Sequence, residues 1–231
     1  MRLNAYLARA GVTSRRGADN LIKAGRVIVN DKPGQLNTEV SEVDTVELDG
    51  KKISAQKLRY ILMNKPPHVI TTLKDTEARP VVTDLLDIEE RVVPVGRLDA
   101  NTTGALLLTN DGELANKLMH PSFKVDKVYE AEVEGQITDG KMRKLEQGVP
   151  LEDGKTAPAK ALMLQGLALQ QKVELTIHEG RKHQVKRMLA AVSLPLKRLH
   201  RSKYDSLDLS GLNPGQWRDL REEEVDRLKH L

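Results

Sequence analysis

The chain has 231 residues, enough for one large domain or a small one followed by a medium one. It contains no cysteine, which removes disulfides, thiolate metal sites and a cysteine nucleophile, and its one Trp, one Phe and four Tyr are too few for broad aromatic stacking platforms. The net charge is +4, yet the cations gather: seven Lys/Arg in residues 1–32 against Asp19 and Asp31, and eight in residues 181–203 with no acid among them.

Leu3, Leu7 and Ala10 recur at helical spacing, and Gly11 suits a left-handed cap. Ser14 suits the N-cap of a second helix through RRGADNLIKAG, which gathers Ala18, Leu21 and Ile22 on one face and stops at Gly25. VIVN, a turn-like DKPG and TVELDGKKI follow, with Asp49-Gly50 as a hairpin signal. These segments predict a small helical and β domain over residues 1–57, with a linker near Ser54–Leu58.

The remainder, residues 58–231, is strand-rich: RYILMN, HVITTL, VVPVG, ALLLTN, YEAEVEG, KALMLQG and KVELTI, most of them bounded by Gly, Pro, Asn or Asp. Helices are expected at Gly112–Leu118, Asp139–Gln147, Arg181–Val192 and near Glu222–Leu231. Clustered strands with occasional helices predict an α+β fold with a mixed, largely antiparallel sheet. The amino terminus has no apolar stretch of the secretory kind, and nowhere do about 18 apolar residues run together, so a cytoplasmic protein without a membrane span is expected.

Metal chemistry has little support, because His68, His120, His178, His183, His200 and His230 are scattered and none forms the spaced pair of a helical zinc site. Neither a phosphate-binding Gly-rich loop nor a dinucleotide fingerprint is present. The first basic stretch carries Arg15, Arg16, Lys23 and Arg26, and the second carries Arg181, Lys182, Lys186 and Arg187. Each alone reads as a solvated face. Two acid-poor clusters in one chain suit a polyanion, because neutralising phosphates releases condensed counterions. Nucleic acid is therefore the leading partner.

If the later helix starts near Arg181, its amides and cations converge on an anion, either RNA phosphate or a carboxylate brought from elsewhere. Asp99, in VGRLDANTTGALLLTND, follows an apolar run and precedes another. It is a turn residue, a structural ion-pair partner or a reaction centre, and burial next to an apolar strand asks for a cation beside it.

Five segments carry a family resemblance: NKP (Asn64–Pro66), RPVVTDLL (Arg79–Leu86), GRLDANTTGALLLTNDG (Gly96–Gly112), HPSFKVDKVYEAEVEG (His120–Gly135) and EGRKHQVKRM (Glu179–Met188). In order and content they resemble the bacterial ribosomal RNA pseudouridine synthases of the small-subunit uridine synthase type. The opening RLNAYLARAGVTSRRGADNLIKAGRVIVNDK is similar to the small RNA-binding domain shared with ribosomal protein S-four. The resemblance implies breakage of a uridine glycosidic bond, rotation of the uracil and reattachment through carbon 5, a redox-neutral isomerisation without a cofactor.

It further implies that Asp99 is the essential aspartate, acting either as nucleophile or as base towards a sugar proton. Tyr129 matches the tyrosine that stacks on the uracil and helps remove the carbon 5 proton. Lys186 matches the cation that pairs with the aspartate, Arg187 is its neighbour in register, and Arg97 matches the basic residue of the GRLD motif that holds RNA. The family usually has Gly where this chain has His68, Leu where it has Ala105 and Phe where it has Leu189. His120–Ser122 leans towards the large-subunit branch. The rival readings are a non-catalytic RNA-binding or ribosome-assembly protein and an enzyme acting on transfer RNA. A monomer without a small-molecule cofactor is expected.

Overall fold

The structure, a computed structural model, describes residues 1–41, 43–164 and 171–231. It forms two compact units: Met1–Arg59 with Ile88–Val92 and Thr109–Gly112, and Tyr60–Asp87 with Val93–Leu108 and Glu113–Leu231. No helix among the described residues is long and apolar enough to cross a membrane.

In the first unit, helices α1 (Leu3–Arg9) and α2 (Arg15–Lys23) accompany strands β1 (Val27–Val29), β2 (Lys32–Pro33), β3 (Val46–Leu48) and β4 (Lys51–Ile53). The strands pair antiparallel in the order β2-β1-β3-β4. Leu3, Leu7, Ala18, Ile22, Val27 and Val46 form the core that ties helices to sheet. Ser14 Oγ accepts the Gly17 N–H at 3.1 Å, the N-cap bond that starts α2. Asp49 and Gly50 both adopt positive φ, as a tight hairpin turn of the primed type requires.

The second unit is built from β5 (Tyr60–Lys65), β6 (Val93–Pro94), β7 (Thr103–Thr109), α3 (Gly112–Met119), β8 (Lys127–Val133), α4 (Asp139–Gln147), β9 (Pro150–Leu151), β10 (Gly154–Lys155) and β11 (Lys160–Leu164). It continues with β12 (Gln171–Ile177), α5 (Gln184–Ala191), β13 (Leu196–Tyr204), β14 (Leu207–Asp208), β15 (Trp217–Asp219) and α6 (Glu222–Lys229). Among the described residues nine strands form one sheet in the order β11-β12-β8-β13-β7-β5-β15, with β14 on β13 and β6 on β7. The pairs β11·β12, β12·β8, β8·β13 and β5·β15 are antiparallel, whereas β13 and β7 run parallel. This is the mixed, largely antiparallel sheet of an α+β fold.

At the parallel seam Arg201 lies opposite Gly104. Gly104 has φ +107°, and a Cβ there would sit 2.2 Å from the Arg201 carbonyl oxygen, so only glycine fits. β5 and β7 are buried almost throughout, which explains their continuous apolar runs. Leu62, Leu107, Leu114, Leu118, Tyr204 and Leu228 belong to one core between sheet and helices.

Three expected elements differ. HVITTL is not a strand; it contributes only a bridge from Ile70 to Val81. His68 takes a left-handed φ of 63°, and the Thr71 hydroxyl binds the Leu98 backbone, so the segment's polar groups are satisfied outside a ladder. VVPVG shrinks to Val93–Pro94, where proline offers no N–H. The helix expected from Arg181 begins at Gln184, because His183 is left-handed (φ 51°) and the Arg181 N–H is taken by Gln184 Oε1. Of KALMLQG, Lys160–Leu164 is strand, and Gln165 and Gly166 lie outside the described residues.

Candidate active site

Asp99 sits on the loop between β6 and β7, and its position is fixed by neighbours rather than by its own side chain. Thr71 Oγ1 donates to the Leu98 carbonyl (2.8 Å) and accepts the Leu98 N–H (3.2 Å). Lys65, at the end of β5, is fully buried and donates from Nζ to the carbonyls of Pro66, Ala100 and Thr102 at 2.9, 3.0 and 3.0 Å. His68 N donates to Ala100 O at 2.9 Å. A left-handed conformation costs a non-glycine residue roughly 1–2 kcal/mol, so His68, with φ 63°, is strained. Burial pulls the Lys65 ammonium down to about 8, and the Asp99 charge opposes that shift.

Across the cleft, α5 supplies Lys186, whose Nζ lies 2.7 Å from Asp99 Oδ2. His183 Nε2 lies 3.5 Å from Asp99 Oδ1. The turn before α5 is organised by Glu179, which accepts from Ala157 N (3.1 Å), Gln184 Nε2 (2.7 Å) and Arg181 Nη2 (3.0 Å). Burial works to raise the Glu179 carboxyl, and these donors outweigh it, leaving it below its ordinary value.

Tyr129, on β8, is 8 % exposed and lines the same cleft. Its phenol oxygen accepts from Arg201 Nη1 at 3.4 Å. Arg201, on β13, is 2 % exposed and donates from Nε to Ala105 O at 2.6 Å. The cleft encloses about 920 Å³ and brings Arg97, Asp99, Lys127, Tyr129, Lys186 and Arg201 to one wall system. Burial lowers the Lys127 ammonium to about 8; the nearby Arg201 lowers it further and Asp126 opposes.

The remaining expected residues divide by their partners. Arg97 and Lys182 are exposed, and neither makes an ion pair among the described residues. Arg187 instead binds Asp153 with two bonds of 2.9 Å, and Arg181 spans Glu179 and the carbonyls of Gly154 and Lys155. In the first unit Arg15, Arg16 and Lys23 stand exposed on α2, while Arg26 is bonded twice to Asp49. Arg201 and Lys65 were not singled out from the sequence. The alternation around Arg201 is broken by register shifts on both sides of it, and Lys65 reads as an ordinary strand-end lysine.

Comparison with known proteins identifies the family. Residues 1–46 match the S4 domain model, and residues 59–191 match the model described as RNA pseudouridylate synthase. "Ribosomal large subunit pseudouridine synthase B" of Bacillus subtilis (strain 168) is 47% identical, the match covering 100% of this chain and 96% of the relative. An "Uncharacterized RNA pseudouridine synthase" of Aquifex aeolicus (strain VF5) is 45% identical over 99% of this chain and 93% of its own. A solved structure described as "Crystal structure of pseudouridylate synthase" superposes with a TM-score of 0.72 at 29% identity, covering 99% of both chains. With both domain models matched and relatives of 45–47% identity aligned over essentially the whole chain, the chain belongs to the RNA pseudouridylate synthase family and carries an S4 domain at its amino terminus.

Proposed function

We propose that this pseudouridine synthase isomerises a specific uridine of large-subunit ribosomal RNA, with Asp99, Tyr129 and Lys186 around the reacting nucleotide. The observation that carries the site assignment is the 2.7 Å contact between Lys186 Nζ and Asp99 Oδ2. Support for the RNA class comes from relatives of Bacillus subtilis and Yersinia pestis, both described as acting on the ribosomal large subunit, at 47% and 40% identity.

In this reading the Lys186 ammonium holds Oδ2, and Oδ1, with the exposed His183 ring 3.5 Å away, acts on the sugar or the base as nucleophile or as proton acceptor. The C1′–N1 bond breaks, the uracil turns, and a C1′–C5 bond replaces it without net redox change. Flipping the uridine out of its stack costs a few kcal/mol, which phosphate contacts offset. Arg97 and Lys182 supply contacts at the cleft, and Arg15, Arg16 and Lys23 grip RNA through the amino-terminal domain. Arg181, Arg187 and Arg26 reach phosphate only in exchange for their present acidic or carbonyl partners. The enzyme works as a monomer in the cytoplasm.

The test uses total RNA, labelled with tritium at uridine C5, from cells lacking the gene. The wild-type protein releases tritium from the large-subunit fraction, and Asp99→Asn releases none while binding that RNA nearly as well. Equal release by both proteins sinks the site assignment; release from another fraction sinks the substrate assignment.

A further inference from the structure

Arg201 is the largest fully buried side chain of the described residues, and it has no carboxylate partner among them. A buried cation is normally paired, because an uncompensated charge in an apolar interior is costly. Here the guanidinium spends Nε on a backbone carbonyl and Nη1 on the Tyr129 phenol oxygen, while Nη2 is buried without a hydrogen-bond partner. Its carbon lies 5.9 Å from the Tyr129 ring centroid and 5.2 Å from that of Tyr204, so aromatic faces flank it instead of acids. A second cation, Lys127, sits 5.7 Å from the same Tyr204 ring centroid. Of the two phenols it flanks in the cleft, Arg201 donates a hydrogen bond to the oxygen of Tyr129, whereas the Tyr204 hydroxyl donates to the Leu118 carbonyl.

We propose that Arg201 is a positioning residue for the isomerisation, holding the Tyr129 phenol oxygen where it receives the C5 proton of the reattached uracil. The inference rests on the assignment of Tyr129 to the uracil made above. With one phenol lone pair taken by Nη1, the other lone pair and the O–H turn to the cleft. When the C5–H bond breaks, its electron pair forms C5=C6, the N1=C6 pair moves to N1, and N1 takes up a proton. The phenol accepts the C5 proton as its own passes to water, and water returns one to N1. Arg201 keeps all its protons, and nothing is oxidised or reduced.

The test compares single-turnover rates on total RNA from cells lacking the gene, grown on uridine bearing protium or deuterium at C5, with pseudouridine read by mass spectrometry. Arg201→Met is expected to slow isomerisation about a hundredfold, within the range for general acid–base assistance. Its RNA affinity stays within a few-fold of wild type, and a primary isotope effect larger than the wild-type value emerges, because C5 proton removal has become the slow step. Arg201→Lys, which can still donate to the phenol, recovers part of the rate. Tyr129→Phe shows the same isotope effect, and adding Arg201→Met to it costs nothing more. A wild-type rate in Arg201→Met, an unchanged isotope effect, or additive losses in the double variant each overturn the proposal. Should Arg201→Met fail to fold, Arg201→Lys and the double variant with Lys decide it by the same criteria. A fully active Tyr129→Phe overturns the Tyr129 assignment itself. Activity confined to another RNA overturns only the substrate class and leaves the Arg201 comparison to be made on that RNA.

Discussion

Lys186 Nζ stands 2.7 Å from Asp99 Oδ2, joining the first turn of α5 to the loop before β7. The pair is about one-third exposed on each side, so its value is aim rather than stability. Removing a preorganised charge of this kind costs roughly 10²–10³ in rate. Lys186→Met is therefore expected to lose about that much tritium release with little change in melting temperature, and Lys186→Arg to retain a measurable part of the rate. Single-turnover release and calorimetry on the same preparations check both.

Lys65 stakes the aspartate loop from below. Truncation in Lys65→Met leaves three carbonyls short of their donor, a loss of about 3 kcal/mol at roughly 1 kcal/mol or more per unsatisfied group, readable as a lower urea midpoint. The pH dependence runs in two directions. The folded ammonium titrates near 8 against 10.5 in the unfolded chain, so the folded state holds this proton less tightly. Its charge therefore penalises the fold most below pH 8, and that penalty fades as pH climbs to 10.5. Over the same window the neutral amine donates fewer bonds to the loop and activity falls. The difference between wild type and Lys65→Met should thus show stability rising and rate falling from pH 8 upward; a stability difference that shrinks there contradicts the assignment.

Glu224 does the opposite work at the other end of the chain. Arg218 approaches it at 2.7 and 2.8 Å and Arg221 N at 2.9 Å, holding the carboxyl near 2 despite burial. The folded pKa is depressed, so its stabilisation is complete above pH 4.5 and drains away between 4.5 and 2. Glu224→Gln is expected to cost on the order of 2 kcal/mol at pH 7 by this linkage. Its melting curve should converge on that of wild type as the pH drops through that window.

Among the described residues no acid pairs with Arg15, Arg16 or Lys23, whereas Arg26 is clamped by Asp49. Neutralising the first three should weaken RNA binding and flatten the dependence of log affinity on log salt by roughly 2, at about 0.7–0.9 per phosphate contact. Arg26→Gln should move the slope far less. A triple variant with an unaltered slope on the natural RNA removes the amino-terminal domain from the grip.

What could be read from the chain was set by how local each signal is. Ser14, Asp49-Gly50 and the apolar periodicity of α2 act within one turn or hairpin, and each folds as its pattern indicates. Asp99 and Lys186 were legible as a pair only through the resemblance, because no spacing rule reports a contact between a loop and a distant helix. β13 was missed because two bulges interrupt its alternation and its cations resemble a solvated face, although Arg201 and Tyr204 point inward. HVITTL failed in the other sense: its composition suits a strand, yet tertiary bonds to Leu98, Ala100 and Pro80 claim its backbone and Thr71.

Gly104 sets the spacing of two strands that border the cleft. The aspartate loop leads into β7 and the arginine stands on β13, and the two strands meet where the Gly104 backbone presses on the Arg201 carbonyl. No side chain intervenes there, so the backbones of β7 and β13 pack directly against each other at this point. Elsewhere in the core a methyl gained can be balanced by a methyl lost nearby. At this seam any substitution parts the strands, and Gly104→Ala tests whether the enzyme tolerates a spacer between Asp99 and Arg201.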